Sequence, residues 1–415
     1  MQLSEELTWR GFVNQTSYKD ITALDAEPIT FYWGVDPSAD SMTIGNLAIA
    51  MMVRHFIDHG HNAVLLVGGA TGLIGDPDGK SQERALQATD VITHNKAGIV
   101  AQYQSLFAGK QFSVTDNYDW FKDMGYLQFL RDVGKHVPMR TMLNREFVSN
   151  RLSEDGAGIS YAEFSYSLLQ GYDFLHLHRE KGVDLQVCGA DQWGNSIAGV
   201  DLVRRITGDT VHVWSAPLVI NKTTGIKFGK TEDGAIWLDP AKTSPTQFYQ
   251  FWINCDDNGV SDYLKIYTLH NKDEIEAIMA EHQAQPSART AQKALAMAIT
   301  TLVHGEDNAG KAAEVTEYLT GAREILDISD QTLQILKKEI AHFSAAPGTP
   351  VSDCLVATGL ASSVSDARRL IDSNAISVNG AKITGNTLEV EHFTSGRLLL
   401  RRGKAFKDTA LIEQK

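Results

Sequence analysis

The sequence predicts an α/β protein built on a parallel sheet, with an α-helical segment and a small α+β domain after it. Residues 30–36 (TFYWGVD) and 62–69 (NAVLLVGG) are short apolar runs that end at Asp-Pro or Gly, as buried strands do. Residues 44–59 between them are apolar at helical spacing. A strand, a helix and a strand in this order indicate parallel pairing. A further strand at 183–188 precedes a predicted helix at 193–205.

The chain changes character after the predicted sheet. Residues 263–340 are rich in Ala, Glu, Leu and Lys with very few glycines, which indicates helices. The segment FSAAPGTP (343–350) is small, unpatterned and broken by Pro and Gly, which is typical of a linker. Two short helices and a strand pair turning at Asn379-Gly380 follow. The expected domains are a sheet domain at 1–235, a helical domain at 236–342, the linker at 343–350 and a C-terminal domain at 351–415.

Composition excludes several classes of protein. The 415 residues are 43% hydrophobic and 21% charged, which is globular rather than disordered. The net charge of −13 argues against a non-specific nucleic-acid coat, although residues 350–415 carry nine basic and seven acidic side chains. No apolar run approaches the ~18 residues of a membrane span, so we expect no membrane partner. Three scattered cysteines without zinc spacing, and a start without a targeting pattern, favour a cytoplasmic protein.

Two glycine-bearing segments follow the first two strands. In DPSADSMTIGNL (36–47), Ser41 is the expected helix N-cap and Gly45 lies in the first turns, where free N–H groups can bind phosphate. A capped helix with a packing glycine explains the same pattern. The second segment, GGATGLIGDPDGKSQER (68–84), fails the Walker A pattern because Ile74 occupies the first glycine position. Lys80 and Arg84 lie four apart, and either hold an anionic leaving group or form a solvated basic face.

A polar stripe runs along the predicted helix in ISYAEFSYSLLQGYDF (159–174). Tyr166, Gln170 and Asp173 lie at positions i, i+4 and i+7, on one side of a helix. Such a stripe usually faces solvent. The three kinds of hydrogen-bonding group suit a buried amino-acid pocket equally well.

Two further polar segments follow the predicted strands. In CGADQWGNSIAG (188–199), Asp191 and Gln192 come directly after a strand, at the edge where open α/β sheets bind ligands. A routine strand-to-helix turn is the alternative. In NKTTGIKFGKTEDG (221–234), Lys227 and Lys230 flank Gly229, a pattern suited to gripping and releasing a polyphosphate. An ordinary exposed loop is the alternative here.

Taken in order, these segments resemble the bacterial-type tyrosyl-tRNA synthetases, a class I aminoacyl-tRNA synthetase family. YWGVDPSADSMTIGN is similar to the first class I signature, and LLVGGATGLIGDPDGK, NYDWF, FLRDVGKH, DQWGN, KFGKT and TSPTQFYQFWIN follow in the family's order. The C-terminal stretch resembles the S4 RNA-binding domain. The resemblance covers essentially the whole chain. It implies a Rossmann-like catalytic domain containing a dimer-forming insertion and the KFGKT loop, then the helical and S4-like domains.

The resemblance also implies a role for individual residues. The tyrosine-binding set is Tyr32, Thr71, Asp76, Asn117, Tyr166, Gln170, Asp173 and Gln192. The ATP-binding set is Gly34, Asp36, Ser38, Gly45, Asn46, Gly189, Asp191 and Lys230. The groups that stabilise the transition state are Thr43, Asn46, Lys80, Arg84, Lys227, Lys230 and Thr231. The tRNA-binding set is Arg368, Arg369, Arg401, Arg402 and Lys404.

The implied reaction is that of a tyrosine–tRNA ligase. ATP and tyrosine give tyrosyl-adenylate and pyrophosphate, and the tyrosyl group then passes to the 3′ end of tRNA(Tyr). The attacking carboxylate is already ionised, so positioning and charge stabilisation carry the rate. Mg²⁺ accompanies ATP without a protein cage of its own. The implied assembly is a homodimer, with contacts around residues 129–136.

The chain departs from the family at two positions. Thr43 stands where the signature has its first His, and offers one hydrogen bond over a shorter reach and without charge. Trp33 replaces a smaller residue beside the expected ribose site, where it either crowds that edge or stacks upon it. Two alternatives therefore stay open. One is a synthetase paralogue with redirected adenylation, and the other is a non-catalytic RNA-binding protein.

Overall fold

The computed structural model describes residues 1–77, 86–143, 145–153, 156–231, 234–325, 328–383, 385–403 and 408–415, without the side chains of residues 146, 147, 230 and 231. The described part divides into two compact units, Met1–Thr243 with Cys255–Leu295, and Ser244–Asn254 with Ala296–Lys415. The division falls inside one helix, Thr290–His304. None of the described helices is both long and apolar enough to cross a membrane.

Helices and strands alternate in the first unit, as the sequence predicts. Its strands are β1 (Gln15–Thr16), β2 (Thr30–Val35), β3 (Asn62–Val67), β4 (Phe112–Asp116), β5 (Val183–Gly189), β6 (His212–Ala216), β7 (Lys230–Thr231) and β8 (Gly234–Ala235). The α-helices that precede β7 are α1 (Leu3–Arg10), α2 (Ile44–Asp58), α3 (Thr71–Ile74), α4 (Thr89–Leu106), α5 (Tyr118–Phe121), α6 (Tyr126–Asp132), α7 (Met139–Leu143), α8 (Glu146–Arg151), α9 (Tyr161–Lys181) and α10 (Trp193–Thr207).

Helices dominate the chain after β8. The remaining helices are α11 (Pro245–Ile253), α12 (Val260–Tyr267), α13 (Lys272–Ala284), α14 (Thr290–His304), α15 (Glu306–Thr320), α16 (Asp330–Glu339), α17 (Val351–Ala357) and α18 (Val364–Asp372). The remaining strands are β9 (Ala341–Ala345), β10 (Ile376–Val378), β11 (Ala381–Lys382), β12 (Arg397–Arg402) and β13 (Thr409–Gln414). The predicted helical segment, the two short C-terminal helices and the hairpin turning at Asn379-Gly380 are confirmed.

The sheet of the first unit has the order β1-β6-β5-β2-β3-β4. Strands β2 to β6 are parallel, while β1 runs antiparallel along the edge of β6. The strand order reverses between β2 and β5, which is where open α/β sheets have their ligand crevice. Tyr32 of β2 lies opposite Val64 of β3 and Gln186 of β5, so it stands beside that reversal. The predicted parallel α/β class is confirmed.

Helices α9 and α10 lie close together beside this sheet. A Cβ added to Gly199 of α10 would lie 3.0 Å from Cβ of Phe174 on α9, so a larger residue would push the helices apart. Phe174 also meets the ring of Tyr32 edge-on, with the ring centroids 5.3 Å apart. The first contact holds α9 against α10, and the second holds α9 against β2. Helix α9 carries the polar stripe predicted from the sequence.

The N-cap of helix α2 lies two residues later than expected. It is Thr43, whereas Ser41 was the predicted cap. The hydroxyl of Ser41 is engaged elsewhere: it donates to the carbonyl of Met42 and accepts from Gln102 Nε2 at 2.8 Å and from the Asp239 N–H at 3.1 Å. The prediction was wrong because a local capping pattern cannot reveal partners that are distant in the chain.

The second unit contains a five-stranded sheet with the order β11-β10-β12-β13-β9. One of its faces packs on a cluster that includes Leu355 of α17, and the other on a cluster that includes Leu336 of α16. Strand β9 pairs in parallel with β13 and covers residues 341–345, so the predicted linker at 343–350 begins inside a strand. The difference arises because parallel pairing with the last strand of the chain leaves no local signal.

Candidate active site

The carboxyl ends of the parallel strands bring together most of the residues predicted to bind substrate. Asp36 follows β2, Thr71 begins α3 just after β3, Asn117 follows β4, and Asp191 follows β5. Parallel strands end at the same edge of a sheet, so residues far apart in the chain become neighbours there. Helix α9 adds Tyr166, Gln170 and Asp173 from the side. Tyr166 and Asp173 are 4% and 1% exposed, so at these two positions the polar stripe does not face solvent.

A continuous hydrogen-bond network joins these elements. The Thr71 hydroxyl donates to Asp36 Oδ1 at 2.6 Å, and Tyr166 OH donates to Asp36 Oδ2 at 2.7 Å. Asn117 Nδ2 donates to both Thr71 Oγ1 at 2.9 Å and Asp173 Oδ2 at 3.1 Å. Asn117 is itself fixed, because its Oδ1 accepts from the Ala70 N–H at 2.7 Å. Buried networks of this kind hold side chains in one arrangement before a ligand arrives.

The Asp173 carboxylate is the buried centre of this network. Burial raises its pKa well above the ordinary value, while the hydrogen bonds from Asn117 and Trp120 act in the opposite direction. Trp120 Nε1 donates to Asp173 Oδ1 at 3.0 Å. Neutral donors compensate a buried carboxylate only in part, because removal from water penalises the charged form. The Asp173 carboxylate is therefore a strong acceptor that one further hydrogen-bond donor would stabilise.

Tyr32 supplies an unsatisfied hydroxyl near this acceptor. Its side chain is 1% exposed, and its OH has no hydrogen-bond partner among the described residues. Burial raises the pKa of Tyr32 well above its ordinary value, and the charge of Asp173 raises it further. A buried hydroxyl without a partner costs free energy unless a ligand satisfies it. Tyr32 and Asp173 thus form a pair that would be satisfied by one further polar group, able to donate to Asp173 and to accept from Tyr32.

A second cluster of polar side chains surrounds Asp76. Gln192 Nε2 donates to Asp76 Oδ2 at 2.5 Å, and Asn195 Nδ2 lies 3.4 Å from Asp76 Oδ1. Arg145 Nη1 holds Asn195 by donating to its Oδ1 at 2.8 Å. Gln170 Oε1 is buried without a hydrogen-bond partner in the described part of the chain. Carboxylates and an unpaired amide oxygen are the acceptors that an ammonium group requires.

The first signature segment forms the start of α2. Residues 42–44 pair with residues 236–238, with the Ile44 N–H donating to the Ile236 carbonyl at 3.1 Å. Asn46 Oδ1 accepts from both the backbone N–H and the hydroxyl of Thr43. Gly45 has no neighbouring atom within 3.4 Å of an added Cβ, so its backbone is open to a ligand.

The lysine-bearing loop lies against this helix start. Gly229 has a left-handed backbone with φ of 89°, and a Cβ there would lie 2.5 Å from Ile44 Cγ1. Phe228 stacks on Tyr263 of α12 with the ring centroids 4.2 Å apart. Lys227 Nζ lies 3.7 Å from Asp191 Oδ2, which bridges the loop to the end of β5. Lys80, Arg84 and the side chains of Lys230 and Thr231 lie outside the described residues.

Other residues of the predicted nucleotide site contribute mainly backbone. Gly34 lies in β2, and a Cβ on Gly189 would lie 2.6 Å from Asp191 Oδ1. Ser38 is exposed, and its N–H donates to the Asp36 carbonyl at 2.8 Å. Trp33, the second departure from the family, is 4% exposed and packs on the ring of Tyr103 with the centroids 5.4 Å apart.

The arginines predicted to contact tRNA do not share one face. Arg401 and Arg402 are neighbours on β12, so their side chains leave opposite faces of the sheet. Arg402 donates to Asp408 at 2.6 Å and to the Leu360 carbonyl, while Arg401 Nε donates to Thr409 Oγ1. On α18, Arg369 pairs with Asp366 and Arg368 is exposed. Lys404 lies outside the described residues.

Three side chains that contact the candidate site were not predicted from the sequence. Trp120 donates to Asp173, Asn195 bonds to Asp76 and Gln192, and Arg145 in turn bonds to Asn195. The motif NYDWF contained the signal for Trp120, since an indole in a polar segment usually needs an acceptor. Arg145 lies 50 positions from Asn195, and no local pattern joins them.

Comparison with known proteins agrees with this geometry. Residues 24–320 match the family model of class I tRNA synthetases (W and Y), and residues 332–407 match the model of a tyrosine–tRNA ligase SYY-like C-terminal domain. Tyrosine–tRNA ligases of Geobacillus kaustophilus and Limosilactobacillus reuteri are 43% and 40% identical, each over 97% of this chain and 98% of the relative.

A solved structure gives the same result. The mitochondrial tyrosyl-tRNA synthetase of Aspergillus nidulans, truncated at its C-terminus, matches with a TM-score of 0.70 and 31% identity, covering 77% of this chain and 94% of that one. An archaeal tyrosyl-tRNA synthetase from Archaeoglobus fulgidus shares the fold at 14% identity and a TM-score of 0.55. Buried acceptors at the end of a parallel sheet, a lysine loop at a helix start and these matches lead to one conclusion: the chain belongs to the tyrosine–tRNA ligase family of class I aminoacyl-tRNA synthetases.

Proposed function

We propose that this chain activates tyrosine with MgATP and transfers the tyrosyl group to tRNA(Tyr), with the site residues acting as follows. The observation that carries the proposal is the buried pair of Tyr32 and Asp173. A phenol hydroxyl donates to the Asp173 carboxylate and accepts from Tyr32 OH, so tyrosine satisfies both. Phenylalanine leaves both unpaired, and each unpaired group costs about 1–3 kcal/mol.

The substrate ammonium binds among acceptors on the other side of the pocket. Asp76 provides the negative charge, Gln170 provides the unpaired Oε1, and Tyr166 lines the same space. Thr71 and Asn117 keep the network in register. Gln192 holds Asp76 and stands at the end of β5, where the reacting carboxylate lies.

The nucleotide binds across the strand ends and the start of α2. The adenosine contacts backbone at Gly34, Asp36, Ser38, Gly45 and Gly189, and the ribose binds Asp191. Charge that develops on the phosphates is stabilised by Asn46, Lys80, Arg84, Lys227, Lys230 and Thr231, and Thr43 acts at the same helix start. The tyrosine carboxylate attacks the α-phosphorus in line, the bond to the bridging oxygen breaks, and pyrophosphate leaves with Mg²⁺.

Mg²⁺ enters with ATP as part of the substrate. Among the described residues, no group of three or more His, Cys, Asp or Glu side chains is arranged to hold a metal ion. Phosphate oxygens and water meet the coordination needs of Mg²⁺, so a pair of lysines and a helix N-terminus suffice for the protein's part. Cys188, Cys255 and Cys354 are free and buried, as suits a reducing cytoplasm.

We also propose a homodimer and a tRNA surface. The segment expected to form the dimer contact, residues 129–136, is flanked in the chain by exposed apolar side chains of α6 and α7: Tyr126, Leu127, Met139 and Leu143 are 60%, 80%, 58% and 42% exposed. Exposed apolar side chains on both sides of this segment favour burial against a second copy. For tRNA the proposed contacts are phosphates, bound by Arg368, Arg369, Arg401, Arg402 and Lys404.

The test is tyrosine-dependent ATP–pyrophosphate exchange with phenylalanine as the control, followed by charging of tRNA(Tyr). We expect exchange with tyrosine alone and charging by the same protein. Exchange without charging would support the paralogue with redirected adenylation. Absence of exchange from a folded protein that binds RNA would support the non-catalytic alternative. Sedimentation of the Leu127→Asp variant tests the dimer, which we expect to dissociate.

A further inference from the structure

Thr43, the first departure from the family signature, has a hydrogen-bond arrangement that defines what its hydroxyl can do. The Thr43 backbone N lies 3.0 Å from Asn46 Oδ1, and the Thr43 hydroxyl lies 3.1 Å from the same atom. A backbone N–H only donates, so the Asn46 atom that it meets is the amide oxygen and not the nitrogen. An amide oxygen carries no hydrogen, so the hydroxyl is also the donor in its contact.

This assignment removes Thr43 as a phosphate ligand. A hydroxyl has one proton, and in this arrangement that proton points at Asn46. Only lone pairs remain on Thr43 Oγ1, one of which faces the Asn46 backbone N–H in a helix capping box, and lone pairs repel the oxygens of a polyphosphate. The amide nitrogen of Asn46 carries two hydrogens, and Nδ2 makes no hydrogen bond to any described residue. The donor available to an anion at this helix start is therefore Asn46.

The surrounding backbone makes the arrangement rigid. The Ile44 N–H donates to the Ile236 carbonyl, and the Leu238 N–H donates to the Met42 carbonyl at 2.9 Å, so both neighbours of Thr43 are paired. Gly45 stands between Thr43 and Asn46, and a Cβ on it would lie only 3.5 Å from Thr43 Oγ1. The open space beside the hydroxyl is where a ligand reaches the backbone of the first turn.

We propose that Thr43 is a positioning residue that orients the Asn46 amide, so that Nδ2 faces the phosphates of ATP, and that it makes no phosphate contact itself. The proposal rests on the function proposed above. It differs from the expectation drawn from the sequence, in which Thr43 donates directly in place of the family's histidine. The pair Thr43 and Asn46 then supplies one neutral amide donor where the signature has imidazoles.

The test compares Thr43→Val, which keeps the branched shape without the hydroxyl, with Thr43→Ser, which keeps the hydroxyl. In pyrophosphate exchange we expect Thr43→Val to lower kcat/KM for ATP about 5-fold, the effect of one neutral hydrogen bond. Thr43→Ser should stay within about 2-fold of the wild type, since the donor is retained. Tyrosine affinity, measured without ATP, should not change in either variant. A lower Tm for Thr43→Val with unchanged kinetics would mean a merely structural cap and would overturn the proposal.

A double-mutant cycle separates positioning from direct contact. In an Asn46→Ala background, the Thr43→Val change should have no further effect on kcat/KM, because the group that Thr43 orients is gone. An equal 5-fold loss in both backgrounds would show that Thr43 touches the nucleotide directly, contrary to the proposal. Wild-type exchange is the reference throughout. Its absence would refute the proposed function, whereas its presence with additive variants would refute only this inference.

Discussion

The proposed tyrosine half and the proposed nucleotide half of the site are built differently. In the tyrosine half, Tyr32 and Asp173 are each 1% exposed and Asn117 is fully buried. In the nucleotide half, the side chains of Lys227 and Asp191 are 46% and 43% exposed. One half is a fixed network of neutral donors around a carboxylate, and the other is a charged loop near water.

The difference follows from what each half is proposed to recognise. A phenol differs from a phenyl ring by one hydroxyl, and only desolvated partners make that hydroxyl worth several kcal/mol. ATP carries several phosphate charges, and its pyrophosphate must be released after the reaction. Exposed lysines, whose attraction to the phosphates increases as charge develops in the transition state, suit this requirement better. An exposed ion pair such as Lys227 with Asp191 contributes about 0–1 kcal/mol to stability, so it does little to hold the loop in place.

The largest effect should come from Asp173→Asn, which breaks the tyrosine half. The new amide has to turn its NH₂ towards either Asn117 Nδ2 or Trp120 Nε1, and both of these atoms are donors. A lost charged acceptor and an unsatisfied buried donor together cost about 3 kcal/mol, or about 100-fold in tyrosine affinity. Equilibrium tyrosine binding and kcat/KM for tyrosine both measure this.

The matched control is Asp119→Asn, the same change at a nearby side chain that is 69% exposed. We expect tyrosine binding by the control to match the wild type. If Asp173→Asn bound tyrosine normally, the carboxylate would not be the phenol acceptor. The proposed difference between the two halves would then lose its basis.

A smaller effect is expected for Lys227→Ala, which removes a charge from the nucleotide half. Removing one donor that stabilises developing charge lowers kcat about 100-fold in a closed site. Lys227 is exposed, so we expect its removal to lower kcat of exchange about 10-fold. Tyrosine affinity and Tm should not change. Lys222→Ala is the control, because Lys222 is 52% exposed in the same loop and pairs with Asp262 instead. Equal losses in both variants would indicate loop charge in general rather than a specific phosphate contact.

A weaker change sharpens the comparison by loosening the loop without altering its charge. Tyr263→Leu removes the ring on which Phe228 stacks, whereas Tyr263→Phe keeps the stack and loses the hydroxyl, with its hydrogen bonds to Asp256 and to the Lys222 backbone. An aromatic pair contributes about 1 kcal/mol, so we expect about a 5-fold loss in kcat/KM for ATP with Tyr263→Leu alone. An equal loss with Tyr263→Phe would assign the effect to the hydroxyl.

The last prediction concerns stability and pH in the tyrosine half. The pKa of Asp173 is raised in the folded protein above the ordinary 3.8 of an unfolded carboxyl, mainly by burial. The folded state therefore binds the proton more tightly, and this stabilisation is complete below pH 3.8 and is lost as pH rises through the raised pKa. One group sets a slope of at most about 1.4 kcal/mol per pH unit.

Urea unfolding of the wild type and of Asp173→Asn at several pH values measures this slope. The free energy of unfolding of the wild type, relative to the variant, should fall as the pH rises from acid to neutral. A difference that did not vary with pH would mean that Asp173 is ionised at an ordinary pKa in the folded chain.

Local patterns predicted the elements that surround the site. The strands β2, β3 and β5 and the helices α2 and α10 lie where period and flanking residues put them. The stripe of Tyr166, Gln170 and Asp173 on α9 was visible as spacing alone. The direction in which this stripe faces could not be predicted, because the same spacing fits a stripe that faces water and a stripe that faces a cavity.

Long-range pairing was beyond the reach of those patterns. Ser41 looked like a helix cap, but its hydroxyl bonds to Gln102 and Asp239. Strand β9 looked like a linker because its partner, β13, is about 70 residues further on. Arg401 and Arg402 were both assigned to the tRNA-binding set, and the pleat of β12 directs them to opposite faces.

The sequence by itself determined the fold class, the order of the motifs and the identity of the polar groups. Periodicity and turn residues act over a few positions, and both are written directly in the chain. Only the tertiary structure decided which of those groups meet: Asn117 between Thr71 and Asp173, Trp120 on the same carboxylate, and the Thr43 proton on Asn46. A hydrogen bond depends on distance and on which atom carries the hydrogen, and folding sets the first of these across the whole chain.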